Sequence, residues 1–441
     1  MKSLIYNALA LALSFALCLA ACAQDSSSDS SNVSTTADAA LGEDASGPAL
    51  ADSDSGSEAD VAVIVPTPDL CDVEVALIAQ PTSVDLWWWH GEPEPAQMIE
   101  LLDAPADCGF AVHVSHDWIE AEVIGSTVTI TLNPSATLPG FHSGEVRIIG
   151  AQAANSTKIP VVARLWSQPN MGATPMALII GIDGVRPDAL EAAQTPYLDL
   201  LFRGGASSTT AHTQLTAQTK SGPGWASILT GVDADKHQVE SNDLSDMDQK
   251  SPQWPSVTER AASALGLSSA AIVNWVPVAL LLPETAVENY QTGDDVQVGS
   301  LASESLRELD HPLTFVHLDE VDGNGHGTGF SKDNPLYVAS IEASDLYVGQ
   351  MLTAILDRPT FSLEDWLIVV TTDHGGAGFN HGPMDADNQT IWFVAAGSGV
   401  PQQVLGAEVS HMDVHPTVMA HLGAWPEEDW DLDGQVVGVT P

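Results

Sequence analysis

Five stretches in the C-terminal part of the chain are apolar at nearly every position: MALIIGI (176–182), SSAAIV (268–273), LTFVHL (313–318), WLIVVTT (366–372) and IWFVAA (391–396). A strand that covers one face of a core alternates apolar and polar residues, whereas a strand apolar throughout has to be covered on both faces. The segments between them, PDALEAAQTPYLDLLFRGG, SVTERAASALG, VGSLASESLREL and YVASIEASDLYVGQMLTAILD, space their apolar residues as helices do. The expectation over residues 174–441 is therefore an α/β domain with a largely parallel sheet flanked by helices. Ligands of such sheets bind beyond the carboxyl ends of the strands.

Those ends carry the chemistry. Asp183 directly follows the first run, Asp322 and His326 in DGNGH shortly follow the third, Asp373 and His374 directly follow the fourth, and His381 in NHG precedes the fifth. Singly, an Asp after a strand caps a helix and a His packs or faces solvent. His411 and His415 in SHMDVHPTVMAHLG are read as helix-entry residues of that ordinary kind, and DWDLDG (429–434) as a turn rather than a calcium loop. Gathered at one sheet edge, the other Asp and His side chains make the ligand set of zinc and related ions. One partition gives a first ion Asp183, Asp373, His374 and the Ser221 oxygen; a second takes Asp322, His326 and His381 with a position open. Manganese or iron would also suit these ligands.

Ser221 lies in TKSGPGWASILTG (219–231), outside any Gly-x-Ser-x-Gly elbow. Coordination to a divalent cation is one of the few ways to ionise such a hydroxyl without a histidine base. A helix beginning near Gly224 would offer backbone N–H groups to phosphate oxygens. Lys220 would add charge nearby, and Trp225 at the pocket rim would stack on an apolar or aromatic leaving group. The chain bears 59 acidic against 13 basic residues, a formal net charge of −46. That balance argues against a nucleic-acid or anionic-lipid surface as partner, and requires a locally positive element, here metal, to draw an anionic substrate.

With 441 residues and 44% hydrophobic composition, the chain has room for more than one folded unit. Residues 1–21, with LIYNALALALSFALCLA after Met1-Lys2, resemble a bacterial lipoprotein signal. The resemblance implies cleavage before Cys22, lipidation of that cysteine, and anchoring in a bacterial cell envelope, at the outer membrane on either its periplasmic or its outer side. Residues 22–66, rich in Ser, Asp and Ala, read as a solvated tether. Across 67–168, short alternating runs such as SVDLWWWH, STVTITLNP and GEVRIIG between turns read as an antiparallel β-sandwich. The stretch DWIEAEVIGSTVTITLNPSATLPGFHSGEVRIIG resembles the immunoglobulin-like BACON modules found beside catalytic domains. Alternation puts at least one of Trp87, Trp88 and Trp89 into a core, the others being available for interdomain packing or for stacking a ligand. In an oxidising compartment Cys71 and Cys108 are expected to pair.

The segment 176–422 resembles the alkaline phosphatase superfamily and, within it, the type I phosphodiesterase and nucleotide pyrophosphatase branch. IGIDGVRPDAL resembles the opening metal-Asp motif, KSGPGWASILTG with KHQVESN the nucleophile segment, DGNGH the Asp-x-x-x-His pair, TTDHGG the Asp-His pair, and NHGPMDADNQTIWFVAAGSG the last histidine with its strand. The resemblance implies that Asp183, Ser221, Asp373 and His374 hold the metal that activates the nucleophile. It implies that Asp322, His326 and His381 hold the metal that serves the leaving group and then water, with hydrolysis through a phosphoseryl intermediate and zinc as the ion. The branch has threonine where this chain has Ser221. The branch has a phosphate-binding asparagine where this chain has Gly224, which bears on nucleotide preference. Monoesterases of the superfamily set an arginine near the nucleophile and this segment has none, so a phosphodiester substrate is favoured over a monoester. Sulfatases need an arginine where Trp225 stands. A surface-binding protein without activity is the reading from another class; retention of every candidate ligand and of the serine argues against it.

Overall fold

The computed structural model describes residues 77–89, 94–102, 110–136, 139–149, 156–166, 173–244, 253–397 and 399–440, all within one compact unit, Glu58–Pro441. Cys22, Cys71 and Cys108 lie outside the described residues, and with them the lipidation, tether and disulfide expectations. Among the described residues no helix is long and apolar enough to cross a membrane.

The N-terminal described segment forms two four-stranded sheets. One has the order β1 (Ile78–Gln80), β3 (Ala96–Leu102), β6 (Thr127–Leu132), β5 (Ile119–Ile124). The other has the order β2 (Val84–Trp89), β8 (Ser156–Trp166), β7 (Gly140–Ile149), β4 (Ala111–Val114). Alternate residues such as Val128, Ile130 and Leu132 of β6 and Val146 and Ile148 of β7 share one buried cluster, as period-two strands dictate. Every pairing is antiparallel except β2 with β8, which is parallel, so the wholly antiparallel expectation is corrected at that pair.

The larger sheet has eight strands in the order β12 (Val287–Thr292), β11 (Ser269–Val273), β13 (Leu313–Leu318), β9 (Thr174–Ile182), β14 (Glu364–Thr371), β15 (Thr390–Gly397), β10 (Ala206–His212), β16 (Gln403–Val404). From β12 to β14 all neighbours are parallel; β15 alone runs against its neighbours, β14 and β10. In β9, Met176, Leu178, Ile180 and Ile182 face one buried cluster while Ala177 and Ile179 face the other. Both faces are covered, which is why the strand reads as one apolar run. The first cluster is completed by helices Pro187–Ala192, Pro196–Gly204, Asp295–Glu308 and Pro335–Leu356, and the second by α1 (Ser221–Thr230) and the helix Val414–His421.

The three tryptophans of β2 split by face. Trp88 packs on the N-terminal cluster, whereas Trp89 is buried in the first cluster of the large sheet with Trp87 against it. Trp89 stacks on Trp166 at 5.1 Å, Trp166 meets Phe361 edge-on at 5.2 Å, and Trp87 meets Tyr197 edge-on at 5.4 Å. A Cβ added to Gly204 would lie 2.7 Å from the Trp89 ring, so the helix Pro196–Gly204 approaches that ring because its last residue lacks a side chain.

Candidate active site

The central strand β9 and its two neighbours deliver the cluster. β9 ends at Ile182, and Asp183 follows, its N–H held by the carbonyl of Leu318 at the end of β13 (2.9 Å). β13 leads into α2 (Glu320–Thr328), which carries Asp322 and His326 four residues apart and therefore on one face. β14 leads directly to Asp373 and His374, and a tight loop returns through His381 to β15. Because β15 is antiparallel, its beginning lies at the same edge as the ends of the parallel strands. The buried Asp295 fixes α2: its carboxylate accepts from the N–H groups of Asp319 and Glu320 (both 2.9 Å) and from Asn274 Nδ2 (2.8 Å). Gly184 has φ 69°, and a Cβ there would lie 2.7 Å from Asp322 Oδ1, so both backbone conformation and space require glycine.

The side chains meet in two groups, each offering ligand atoms within 4.8 Å of one another: Asp183, Asp373 and His374, and Asp322, His326 and His381. His374 Nε2 lies 3.4 Å from Asp183 Oδ1 and 3.3 Å from Asp373 Oδ2; His326 Nε2 lies 3.4 Å and His381 Nε2 3.7 Å from Asp322. The imidazoles of His374 and His381 stack at 3.7 Å, joining the groups. Each ring is oriented from behind by a backbone carbonyl that accepts from Nδ1: Gly375 O for His374 (2.8 Å), Phe379 O for His326 (2.9 Å) and Thr219 O for His381 (2.7 Å). Nε2 is thereby left as the ligand atom in all three.

Burial, and next the charge of Asp373, pushes the Asp183 carboxyl well above its ordinary range. Burial and then Asp322 do the same to Asp373, and burial and then Asp183 push Asp322 up to about 8. Burial, followed by His374, lowers His381 to about 3. Asp183 Oδ1, Asp322 Oδ1, Asp373 Oδ2 and His374 Nε2 are buried with no hydrogen-bond partner among the described residues. Unpaired acceptors in a dry interior are costly, and here they converge with no side-chain donor between them. The donor set fits divalent cations, whose charge would reverse the upward carboxyl shifts.

Ser221 heads α1 and is 6% exposed, with Lys220 at the cap position. The helix thus starts at Ser221 rather than near Gly224 and offers fewer donors than the sequence implied. The Gly222 N–H is taken by Asn242 Oδ1 (2.8 Å), Pro223 has none, and the Gly224 N–H returns to Lys220 O (2.9 Å). Gly224 is the seat of α1 against the cluster: a Cβ there would lie 2.8 Å from Asp373 Cβ. An asparagine could not occupy that position, and Gly224 presents nothing to a substrate. Asn242, which the sequence did not single out, is exposed and accepts the Gly222 N–H through Oδ1, one residue beyond Ser221. It is the last residue of KHQVESN, the run that resembles the continuation of the nucleophile segment. Trp225 also departs from expectation. It is fully buried, not on the rim, and its Nε1–H donates to Asp183 Oδ2 at 2.8 Å. His411 and His415 are both buried at the helix entry, accepting from Gln214 N (2.9 Å) and Arg260 Nε (3.1 Å). In the turn 429–434, Asp431 and Asp433 pair with Lys236 at 3.2 and 2.8 Å.

A buried Asp/His cluster thus lies beyond the carboxyl ends of the strands, against the helix that Ser221 heads. The family model for type I phosphodiesterase / nucleotide pyrophosphatase matches residues 177–413, more than half of the chain, and the chain belongs to that family. Bis(5'-adenosyl)-triphosphatase enpp4 of Mus musculus is 24% identical over 250 residues, covering 50% of this chain and 53% of the relative. A phosphopentomutase of Methylobacterium radiotolerans is 32% identical over 114 residues, 26% of this chain and 25% of its own length. The chain thus spans about half or less of the curated relatives it matches. Among solved structures, murine ectonucleotide pyrophosphatase / phosphodiesterase 5 is 16% identical, covering 60% of this chain and 97% of its own, with a TM-score of 0.45. A 2-O GAG sulfatase is 15% identical, covering 60% and 73%, with a TM-score of 0.49.

Proposed function

We propose that the chain hydrolyses phosphodiesters of small molecules, with Ser221 as nucleophile and with Asp183, Asp373 and His374, and Asp322, His326 and His381, as ligands of two divalent cations. The observation that carries this is the convergence of four buried, unpartnered ligand atoms beside the helix that Ser221 heads. Such cations, zinc foremost, would lower the pKa of a hydroxyl or water and offset charge on phosphoryl oxygens. The chain's own part is to aim the groups. The three backbone carbonyls hold the imidazoles with Nε2 forward, and the seat of Gly224 on Asp373 keeps Ser221 beside the cluster. The Ser221 oxygen then bonds to phosphorus as the ester bond to the alcohol breaks, and water later cleaves the phosphoseryl bond. Lys220, next to Ser221, and Asn242, held by the Gly222 N–H, would supply donors for the remaining phosphoryl charge. The segment 219–231 around Ser221 has no arginine, which suits the single negative charge of a diester better than the dianion of a monoester. We further propose an exported, lipid-anchored chain, with Cys22 as its anchor, Cys71 paired with Cys108, and the N-terminal sheets as an immunoglobulin-like spacer.

The test is nitrophenol release from bis(4-nitrophenyl) phosphate by the zinc-loaded full chain, beside 4-nitrophenyl phosphate, 4-nitrophenyl sulfate and the Ser221→Ala variant. Diester turnover that disappears in the variant is the expected result. Preference for the monoester or the sulfate would overturn the substrate assignment, and turnover surviving in Ser221→Ala would overturn the nucleophile.

A further inference from the structure

A third set of ligand atoms lies within 4.8 Å of one another: those of Asp183, His317 and Asp319. It shares Asp183 with the first group, which raises the question of what its far side is for. Trp225, His317 and Asp183 are all fully buried. A buried indole needs an acceptor for its N–H, and the acceptor here is Asp183 Oδ2, at 2.8 Å. His317 Nε2 lies 3.3 Å from the same oxygen. The other ring nitrogen, Nδ1, faces the backbone N–H of Trp275 in a long contact of 3.5 Å, an arrangement that leaves the proton on Nε2, toward Asp183. The two rings support each other edge-on at 4.7 Å.

The backbone is cut to fit this pair. Gly181 lies two residues before Asp183, on the same side of β9, and a Cβ there would come within 2.2 Å of Trp225 Cη2. Trp225 therefore fills the slot a side chain at 181 would occupy, with its N–H directly behind the carboxylate. Asp183 is left with one oxygen taken by two donors and the other, Oδ1, unpartnered and 3.4 Å from His374 Nε2.

We propose that Trp225 and His317 are positioning residues that turn Oδ1 of Asp183 toward the metal cluster, and that His317, hydrogen-bonded to Asp183, makes the Asp183–His317–Asp319 group a support rather than a third cation site. An indole N–H can only donate, so an ion seated on that side would compete with a donor already bound to Oδ2. This inference rests on the reading of Asp183 as a metal ligand. Neither residue touches substrate, so their loss acts through metal retention.

The experiment is zinc titration of the metal-stripped full chain, read by calorimetry and metal analysis, for the wild type, Trp225→Phe, His317→Gln, His317→Leu and Asp319→Asn. Phenylalanine keeps a ring in the slot and removes the N–H; glutamine keeps a donor at His317 and leucine does not. Expected are two ions per chain in the wild type and in Asp319→Asn. Zinc affinity should be weaker by about tenfold or more in Trp225→Phe and His317→Leu, as for other groups that orient metal ligands, and within a few-fold of wild type in His317→Gln. Excess zinc should restore kcat in Trp225→Phe with KM for the diester unchanged. Wild-type affinity in both Trp225→Phe and His317→Leu, or three ions per chain with one lost in Asp319→Asn, would overturn the proposal. Should Trp225→Phe fail to fold, the His317 pair decides: equal affinity for glutamine and leucine overturns it. Because the titration does not read turnover, zinc binding with no hydrolysis would defeat the functional reading alone, and no zinc binding would defeat both.

Discussion

Asp345 is a fully buried carboxylate on the helix Pro335–Leu356 that accepts from the N–H groups of Leu198 (2.7 Å) and Tyr197 (3.3 Å), holding the start of the helix Pro196–Gly204. Burial raises it to about 7, against an ordinary 3.8. Between those values the folded chain keeps a proton that the unfolded chain has released, so rising pH favours unfolding across that window and no further above it. At ~1.4 kcal/mol per pKa unit the effect amounts to a few kcal/mol. Asp345→Asn should therefore gain stability relative to wild type steadily from about pH 4 to about pH 7. Thermal melts at several pH values check this, and a constant difference would remove Asp345 as the cause. Asn242 carries a second expectation: Asn242→Ala should lower diester kcat/KM by about tenfold or more, as loss of a donor to a phosphoryl oxygen does, with zinc affinity unchanged. Single residues were the least legible part of the sequence. Asp183, Asp322, His326, Asp373, His374 and His381 stood out because they lie on the connections at one edge of the sheet, where the structure brings them together. Trp225 did not, because its partner, Asp183, lies 42 positions away and a tryptophan ahead of an apolar run reads as packing or rim alike. Asn242 meets Gly222 from 20 positions further on, beyond α1 and the helix Ala234–His237, a return that no periodicity encodes.

Among the elements, β9, β11, β13, β14 and β15 were legible as apolar runs, since both of their faces are buried. β10 and β12 were not: ASSTTAH and VENYQT lie toward the sheet margins, mix buried with exposed positions and carry polar residues. The direction of β15 was also hidden, because a strand buried on both faces has the same composition whichever way it runs. The seam between β2 and the helix Pro196–Gly204 depends on one missing side chain, and Gly204→Ala should press into the Trp89 ring at a cost of about 1–3 kcal/mol. Denaturant unfolding measures this; combination with Trp89→Leu should recover part of the loss, and additivity of the two would place the clash elsewhere.

For the whole molecule, a formal net charge of −46 makes the compact state repel itself at long range. Added sodium chloride, from a few millimolar to about 0.15 M, screens exposed charges beyond about 8 Å, so the melting temperature should rise over that range and then level off. Removal of bound cations acts in the opposite sense. A chelator should lower the melting temperature, because ions that bind only the folded chain stabilise it by mass action, and zinc should restore it; an unchanged melt would mean that the cluster holds no ion.

The placement of β9 has a consequence for how such a chain comes into being. It is the first strand of the large sheet in sequence, yet its hydrogen-bonded neighbours are β13 and β14, which begin at Leu313 and Glu364. Chains leave the ribosome at roughly 5–20 residues per second, so Asp183 has to wait several seconds or longer before the strand that carries Asp373 and His374 exists. An apolar strand without a partner for that interval is a template for wrong pairing. The Asp/His cluster cannot help to nucleate this fold, because its two sides are strands made long after β9.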